Sequence, residues 1–298
     1  MPTRKILPEK KRKTVGIALG GGSAKGLAHI GVIKALREIN IPIDYIAGTS
    51  MGAIIGGWYA LEGDIASVEE FIFTLKKEER KELAKISFRK GRARMGDDVI
   101  VSIINRRFGS KQFKDCKIPF VAVATDVKTG DEVVISEGGM ADAIRASSAL
   151  PVIFEPVKIG NRVLVDGGIA NPVPADIVRQ MGADIVIATD VLSKWVDISL
   201  LSEGTVTIRN IRPLFSAIIS LLSYQVAKEK LEDADVIIKP PVSGYKMLDF
   251  RDAEKIIAAG YRETRAHYAD ICRLTDREQP KKHALDEFWE FVFGLDQK

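Results

Sequence analysis

The chain has 298 residues, 44 of them basic and 40 acidic, for a net charge of +4. That length can bury a sizeable core as one large domain or two small ones, and so balanced a charge excludes a nucleic-acid binder working through its overall field. Two distant cysteines, Cys116 and Cys272, exclude a disulfide framework and a cysteine metal site, and point to a reducing compartment. No uninterrupted apolar run is long enough to span a membrane. The nearest, Ile211 to Ala227, is broken by Arg212, Pro213 and several serines. A basic N-terminus with no apolar segment behind it does not read as a signal peptide. The expected location is therefore cytoplasmic.

Strand and helix signals alternate along the chain. Residues 1–13 form a basic tail with Arg4, Lys5, Lys10, Lys11, Arg12 and Lys13. Thr14–Leu19 reads as a strand, Gly20-Gly21-Gly22-Ser23 breaks it, and Leu27–Ile39 turns helical. Pro42 opens a second strand, Ile43–Ala47, followed by Gly48-Thr49-Ser50-Met51-Gly52 and a buried helix from Ala53. Amphipathic helices are expected at Ser67–Lys77 and Asp97–Phe108, around a second basic stretch with Lys85, Arg89, Lys90, Arg92 and Arg94. Ile118–Val127 and Glu132–Ser136 give the one hairpin signal, across Lys128-Thr129-Gly130-Asp131. Met140–Ser148 is helical until Pro151, and Arg162–Val165 is a short strand ending at Asp166-Gly167-Gly168. A helix at Pro174–Met181 and a buried strand at Asp184–Ala188 follow. Beyond a loop lie a helix from Pro213 to Leu231, a strand at Val236–Ile238 and a helix over Asp252–Cys272. This order predicts one three-layer α/β/α domain with a mainly parallel central sheet. Residues 14–192 form its core, residues 193–275 continue it, and residues 276–298 are a tail or amphipathic helix.

A serine between glycines at a strand-to-helix junction is a nucleophile elbow. The turn leaves no room for flanking side chains, so Gly48 and Gly52 bracket Ser50. Ser50 is thus the expected nucleophile of a serine hydrolase. The loop Gly20-Gly21-Gly22-Ser23-Ala24-Lys25-Gly26 fails as a dinucleotide motif. A G-x-G-x-x-G frame from Gly21 meets Ser23 at its middle glycine, and one from Gly20 meets Lys25 at its last. In a serine hydrolase such a loop points backbone N–H groups at an oxyanion, with Gly21 and Gly22 as donors and Ser23 or Met51 contributing. Lys25 either fixes the loop or meets a phosphate head group. Three aspartates, Asp126, Asp166 and Asp190, end strands, and spacing does not choose among them. The chain has three histidines, His29, His267 and His283. The order Ser50, Asp166, His267 fits a Ser–His–Asp triad, but His267 sits in a charged helical stretch.

Taken in order, the glycine loop, Gly-x-Ser-x-Gly and Asp-Gly-Gly resemble the patatin-like phospholipase family, in its bacterial and neuropathy-target-esterase branches. Leu19 to Val32 looks like that family's opening, and Val165 to Ala175 like its Asp-Gly-Gly block. The resemblance covers Thr14 to Leu192. It implies a Ser–Asp dyad, with Ser50 as nucleophile and Asp166 as general base. It implies an oxyanion hole from Gly20, Gly21, Gly22 and Ser23 with Met51, supported by Lys25, Gly26, Gly48, Gly52, Gly167 and Gly168. Ser23 departs from the family, where related esterases often carry a fourth glycine. Lys25 conforms to its basic position. The implied reaction is two-step acyl transfer on a phospholipid, lysophospholipid or other fatty-acyl ester, with no metal and no cofactor. Two alternatives remain: an α/β-hydrolase or acyltransferase with a triad, and a non-catalytic regulator binding lipid or protein.

A lipid substrate needs an apolar wall. The sequence offers Trp58, Phe71, Phe73, Leu150, Ile153 and Phe154, most of which also suit a plain core. The basic clusters read as solvated faces or as attraction to anionic head groups. The loop with Trp195, Leu200 and Leu201 and the run Phe288–Phe293 read as a packed terminal helix or a dimer contact, or, with the basic clusters, as the places where the protein would touch the inner face of a membrane peripherally.

Overall fold

The computed structural model describes residues 12–74, 88–89, 92–93, 95–151, 153–192, 211–245 and 250–278. The tail before Arg12, the side chains of the Lys85–Arg94 stretch, the loop with Trp195, Leu200 and Leu201, His283 and the run Phe288–Phe293 lie outside these residues. The elements in order are β1 (Val15–Leu19), α1 (Ala28–Glu38), β2 (Tyr45–Thr49), α2 (Met51–Glu62), α3 (Ile65–Thr74), β3 (Phe88–Arg89), β4 (Arg92–Ala93), α4 (Met95–Phe108), β5 (Phe120–Asp126), β6 (Glu132–Ile135), α5 (Met140–Ser147), β7 (Val157–Ile159), β8 (Arg162–Asp166), α6 (Ala175–Gln180), β9 (Ile185–Thr189), α7 (Ile211–Lys230), β10 (Val236–Ile238), α8 (Ala253–Ala266) and α9 (Tyr268–Leu274).

Among the described residues, eight strands form one mixed sheet in the order β10-β9-β1-β2-β5-β8-β7, with β6 also on β5. The run β10-β9-β1-β2-β5 is parallel. Its central strands are buried end to end, which is why β1 and β9 read as continuous apolar runs rather than alternating ones. Alternate residues enter opposite cores. Ile17 and Leu19 join α1, α2, α4, α5 and α8 on one face. Ala18, Val186 and Ala188 join α6 and the end of α7 on the other. Strands covered by helices on both faces make the three-layer α/β/α architecture expected from the alternating pattern.

Three features depart from the expected order. β8 runs antiparallel to β5 and to β7, so one end of the sheet is antiparallel. The β7–β8 hairpin is a second hairpin beside the expected β5–β6 one. Its signal was Gly160-Asn161 between two short runs, with Gly160 at φ 59, but a three-residue β7 is too short to show a period. The helix expected over Asp252–Cys272 breaks at His267, whose ψ of 5 is not helical.

Helices α1 and α8 touch backbone to backbone. A Cβ on Gly31 would lie 1.9 Å from the Ile257 carbonyl oxygen, and one on Gly260 would lie 2.0 Å from that of Ala28. Gly31→Ala is therefore expected to cost about 1–3 kcal/mol of stability through overpacking. Urea denaturation of the variant checks it, and an unchanged midpoint would refute so close a contact.

Candidate active site

Ser50 is the single residue between β2 and α2, at φ 55 and ψ −119. A positive φ on a non-glycine residue costs about 1–3 kcal/mol and persists only where its surroundings impose it. The imposition comes from crowding. A Cβ on Gly52 would lie 2.0 Å from the Leu19 carbonyl oxygen, and one on Gly48 would lie 2.5 Å from that of Gly52. The elbow leaves Ser50 half-buried at the start of α2.

Sheet register brings the carboxylate to the serine. Thr49 pairs with Val123 on β5, and Asp166 pairs with the next β5 residue, Ala124, from the other side. Ser50 and Asp166 thus arrive level, flanking β5. Ser50 Oγ donates to Asp166 Oδ2 at 2.6 Å. The Gly168 N–H donates to Asp166 Oδ1 at 2.8 Å, and Thr125 Oγ1 to the Asp166 carbonyl at 2.9 Å. Asp166 is 5% exposed. Burial pushes its carboxyl up to about 6, against the pull of the hydrogen bonds from Ser50 and Gly168. A hydroxyl so bonded to a carboxylate of raised basicity can hand over its proton when it attacks.

The other strand-end aspartates are engaged elsewhere. Asp126 accepts the Lys128 N–H at 2.9 Å and has Arg162 at 3.9 Å. Asp190 accepts the Leu192 N–H at 3.0 Å and has Lys239 at 3.6 Å. His267 lies beside Glu263 at the α8–α9 break, 3.5 Å from its carboxylate. His29 is fully buried, with Nε2 donating to the Gly20 carbonyl at 2.7 Å. Burial brings His29 down to about 4, so it is neutral. It braces the glycine loop rather than facing the serine hydroxyl.

A Cβ on Gly21 would lie 3.4 Å from Ser50 Cβ, so the glycine loop faces the elbow. Two of its expected donors are committed, however. The Gly20 N–H bonds to the Thr189 carbonyl at 3.1 Å, and the Gly21 N–H to that of Pro172 at 2.9 Å. This corrects the expectation for Gly20 and Gly21: they fasten the loop to β9 and to the segment after Asp-Gly-Gly. Gly22 precedes a short 3-10 turn, Ser23–Leu27, while Ser23 and Met51 open their helical turns. Amides at such starts have no intrahelical acceptor. Gly26 packs beneath Met51, where a Cβ would meet Met51 Cγ at 2.6 Å. Lys25 is half-buried, and desolvation lowers its ammonium.

Several supports had no local signal. Thr49 Oγ1 donates to the Asn171 carbonyl at 2.8 Å, and the Asn171 N–H to that of Gly167 at 2.8 Å, tying the elbow to the Asp-Gly-Gly turn. Asn171 Nδ2 bonds Glu132 and Asp176, and Lys230 of α7 holds Asp176 at 2.6 Å. Ser223, also on α7, donates to the Gly168 carbonyl at 2.6 Å. Of the apolar wall expected, Trp58 is core: it is 5% exposed and packs on Phe71 and Phe108 with ring centroids 4.9 and 6.3 Å away. Leu150, Ile153 and Phe154 are half-buried, and Phe154 lines a recess with Ile100, Ile104 and Ser148. Among the described residues no cluster of His, Cys, Asp or Glu could hold a metal ion, and no helix is long and apolar enough to cross a membrane.

Fold and site together define an α/β/α protein whose strand-elbow serine is hydrogen-bonded to a buried carboxylate. Residues 17–179 match the family model described as patatin-like phospholipase, and the chain belongs to that family. It is 32% identical over 300 residues to patatin-like phospholipase domain-containing protein 6 of Homo sapiens, covering 89% of this chain and 21% of that one. It is 29% identical over 275 residues to lysophospholipase NTE1 of Pyricularia oryzae, covering 84% and 18%. An uncharacterized NTE family protein of Mycobacterium bovis is 32% identical over 220 residues, covering 73% and 60%. The chain thus spans about a fifth of the human and fungal relatives. VipD from Legionella pneumophila shares the fold, with a TM-score of 0.50 at 15% identity over 89% of this chain and 67% of that one.

Proposed function

We propose that the protein is a serine lipid acyl hydrolase acting on phospholipids or lysophospholipids through a Ser50–Asp166 dyad. The observation that carries this reading is the 2.6 Å hydrogen bond from Ser50 Oγ to a carboxylate 5% exposed. Asp166 takes the hydroxyl proton as Ser50 Oγ attacks the ester carbonyl. The tetrahedral oxyanion meets the N–H groups of Gly22, Ser23 and Met51, and the positive end of α2 adds to the field. Protonated Asp166 then returns its proton to the leaving alkoxide, leaving an acyl-enzyme. Water, deprotonated by Asp166, attacks that ester, and Asp166 returns the proton to Ser50 Oγ as the fatty acid is released. The substrate class is supported by family membership and by the lysophospholipase name of the fungal relative.

The test is fatty-acid release from a panel of phospholipids and lysophospholipids by wild type and Ser50→Ala. Hydrolysis by wild type alone supports the reading, and equal release by both sinks it. The regulator alternative is separated by a fluorophosphonate probe, which it predicts will leave the folded protein unlabelled.

A further inference from the structure

We infer that Ser147 is a positioning residue for this reaction: its buried hydroxyl clamps the amide of Ser50 and so aims both the Ser50 hydroxyl and the Met51 N–H. The inference rests on the dyad reading above. Ser147 ends α5 and is 0% exposed. Its Oγ accepts the Ser50 N–H at 2.9 Å and donates to the Val123 carbonyl at 2.6 Å. The direction is unambiguous, because a hydroxyl has one proton to give and a carbonyl can only accept.

The place of this hydroxyl in the sheet explains its use. Val123 is the β5 partner of Thr49, the last residue of β2. Were β2 to continue straight, the Ser50 N–H and the Val123 carbonyl would form the next rung of the parallel ladder. The left-handed turn at Ser50 pulls the amide out of that rung. The Ser147 hydroxyl fills the gap, satisfying both buried groups and holding the turn in its bent form. The two following residues extend the grip. Ser148 Oγ lies 3.4 Å from the Ser50 carbonyl, and the Ala149 carbonyl accepts the Asp166 N–H at 3.0 Å. Three successive residues therefore touch the backbone of both dyad partners.

The peptide linking Ser50 to Met51 carries the Met51 N–H, so the ψ of Ser50 sets where that donor points. Without the clamp the elbow can relax toward ordinary backbone angles, turning Oγ away from Asp166 and the Met51 N–H away from the oxyanion. Those interactions matter in the transition state more than in substrate binding, so the loss falls on kcat rather than KM.

The experiment measures kcat, KM and the rate of fluorophosphonate labelling for wild type, Ser147→Ala and Ala143→Gly. The last is a control that weakens the same buried helix without touching the elbow. Expected for Ser147→Ala is a fall of about ten- to a hundredfold in kcat and labelling rate with KM little changed, while Ala143→Gly keeps wild-type rates at temperatures where it is folded. Wild-type rates in Ser147→Ala, or an equal loss in Ala143→Gly, overturn the inference. If Ser147→Ala does not fold, Ser147→Cys carries the same test, since a thiol fills the space but accepts hydrogen bonds weakly, and an undiminished rate there overturns it equally. Failure of the dyad reading looks different: Asp166→Asn would then keep wild-type activity, or the wild-type protein would not label at all, and the inference would fall with it.

Discussion

Ser50→Ala is expected to lower ester hydrolysis by about six powers of ten, the loss seen when a nucleophile is removed from a site that acts as a unit. Asp166→Asn is expected to cost about four powers of ten, and His267→Ala to leave activity unchanged. The asparagine variant isolates basicity from geometry. Its amide oxygen can still accept the Gly168 N–H, and its amide nitrogen can donate to Ser50 Oγ, so both contacts of Asp166 survive with one reversed. It cannot receive the serine proton. His267 pairs with Glu263 at a helix break and has no place in the dyad geometry. Steady-state hydrolysis of one lysophospholipid by the three variants checks the set. Activity kept in Asp166→Asn but lost in His267→Ala would reverse the assignment and restore a triad.

The elbow was legible because it is local. Its glycines, its serine and the strand and helix around it span a few consecutive residues, and the crowding that demands Gly48 and Gly52 is built by that same turn and the neighbouring Leu19 carbonyl. The choice of Asp166 over Asp126 and Asp190 was not local. It depends on β8 running antiparallel to β5 in a register that sets Asp166 against Ala124, and a strand's direction leaves no mark on its own composition. Family resemblance named the residue where spacing left three. The glycine loop was legible as a turn but not in its individual amides. Which N–H groups face outward depends on the carbonyls of Thr189 and Pro172, far along the chain. Ser147, Asn171 and Ser223 were silent for a further reason. Ser147 and Ser223 act by side-chain hydrogen bonds to backbone of distant segments. Asn171 acts through its carbonyl, which accepts the Thr49 hydroxyl, and through its amide on Glu132 and Asp176. A serine or asparagine near a helix end or a turn looks the same whether it caps or supports.

Asp166→Asn, expected to lose activity, is also expected to stabilise the fold at pH 7.5, by about 2 kcal/mol. Burial raises the Asp166 carboxyl from 3.8 to about 6. A rise of that size corresponds to roughly 3 kcal/mol of bias against the charged form, and the reversed Ser50 contact is expected to return about 1 kcal/mol of this. The sign follows from proton counting. Between pH 3.8 and about 6 the folded protein keeps the Asp166 proton while the unfolded chain has released it. Stability from this group therefore falls as pH rises through that window. Above about pH 6 the charged carboxylate is fully destabilising, and below 3.8 the effect is absent. Asparagine carries no such charge, so its advantage over aspartate should be full at pH 7.5 and shrink toward pH 4. Urea denaturation of both proteins at the two pH values reads the difference, in which the other carboxylates cancel. An advantage that does not change with pH would mean that Asp166 is not held charged at the expense of the fold. In the proposed reaction the same titration has the opposite benefit. A protonated Asp166 cannot take the Ser50 proton, so kcat/KM should decline as pH drops below about 6. In the proposed mechanism, the burial that makes Asp166 basic enough to activate Ser50 is thus the burial that makes it costly to the fold at the pH where it would work.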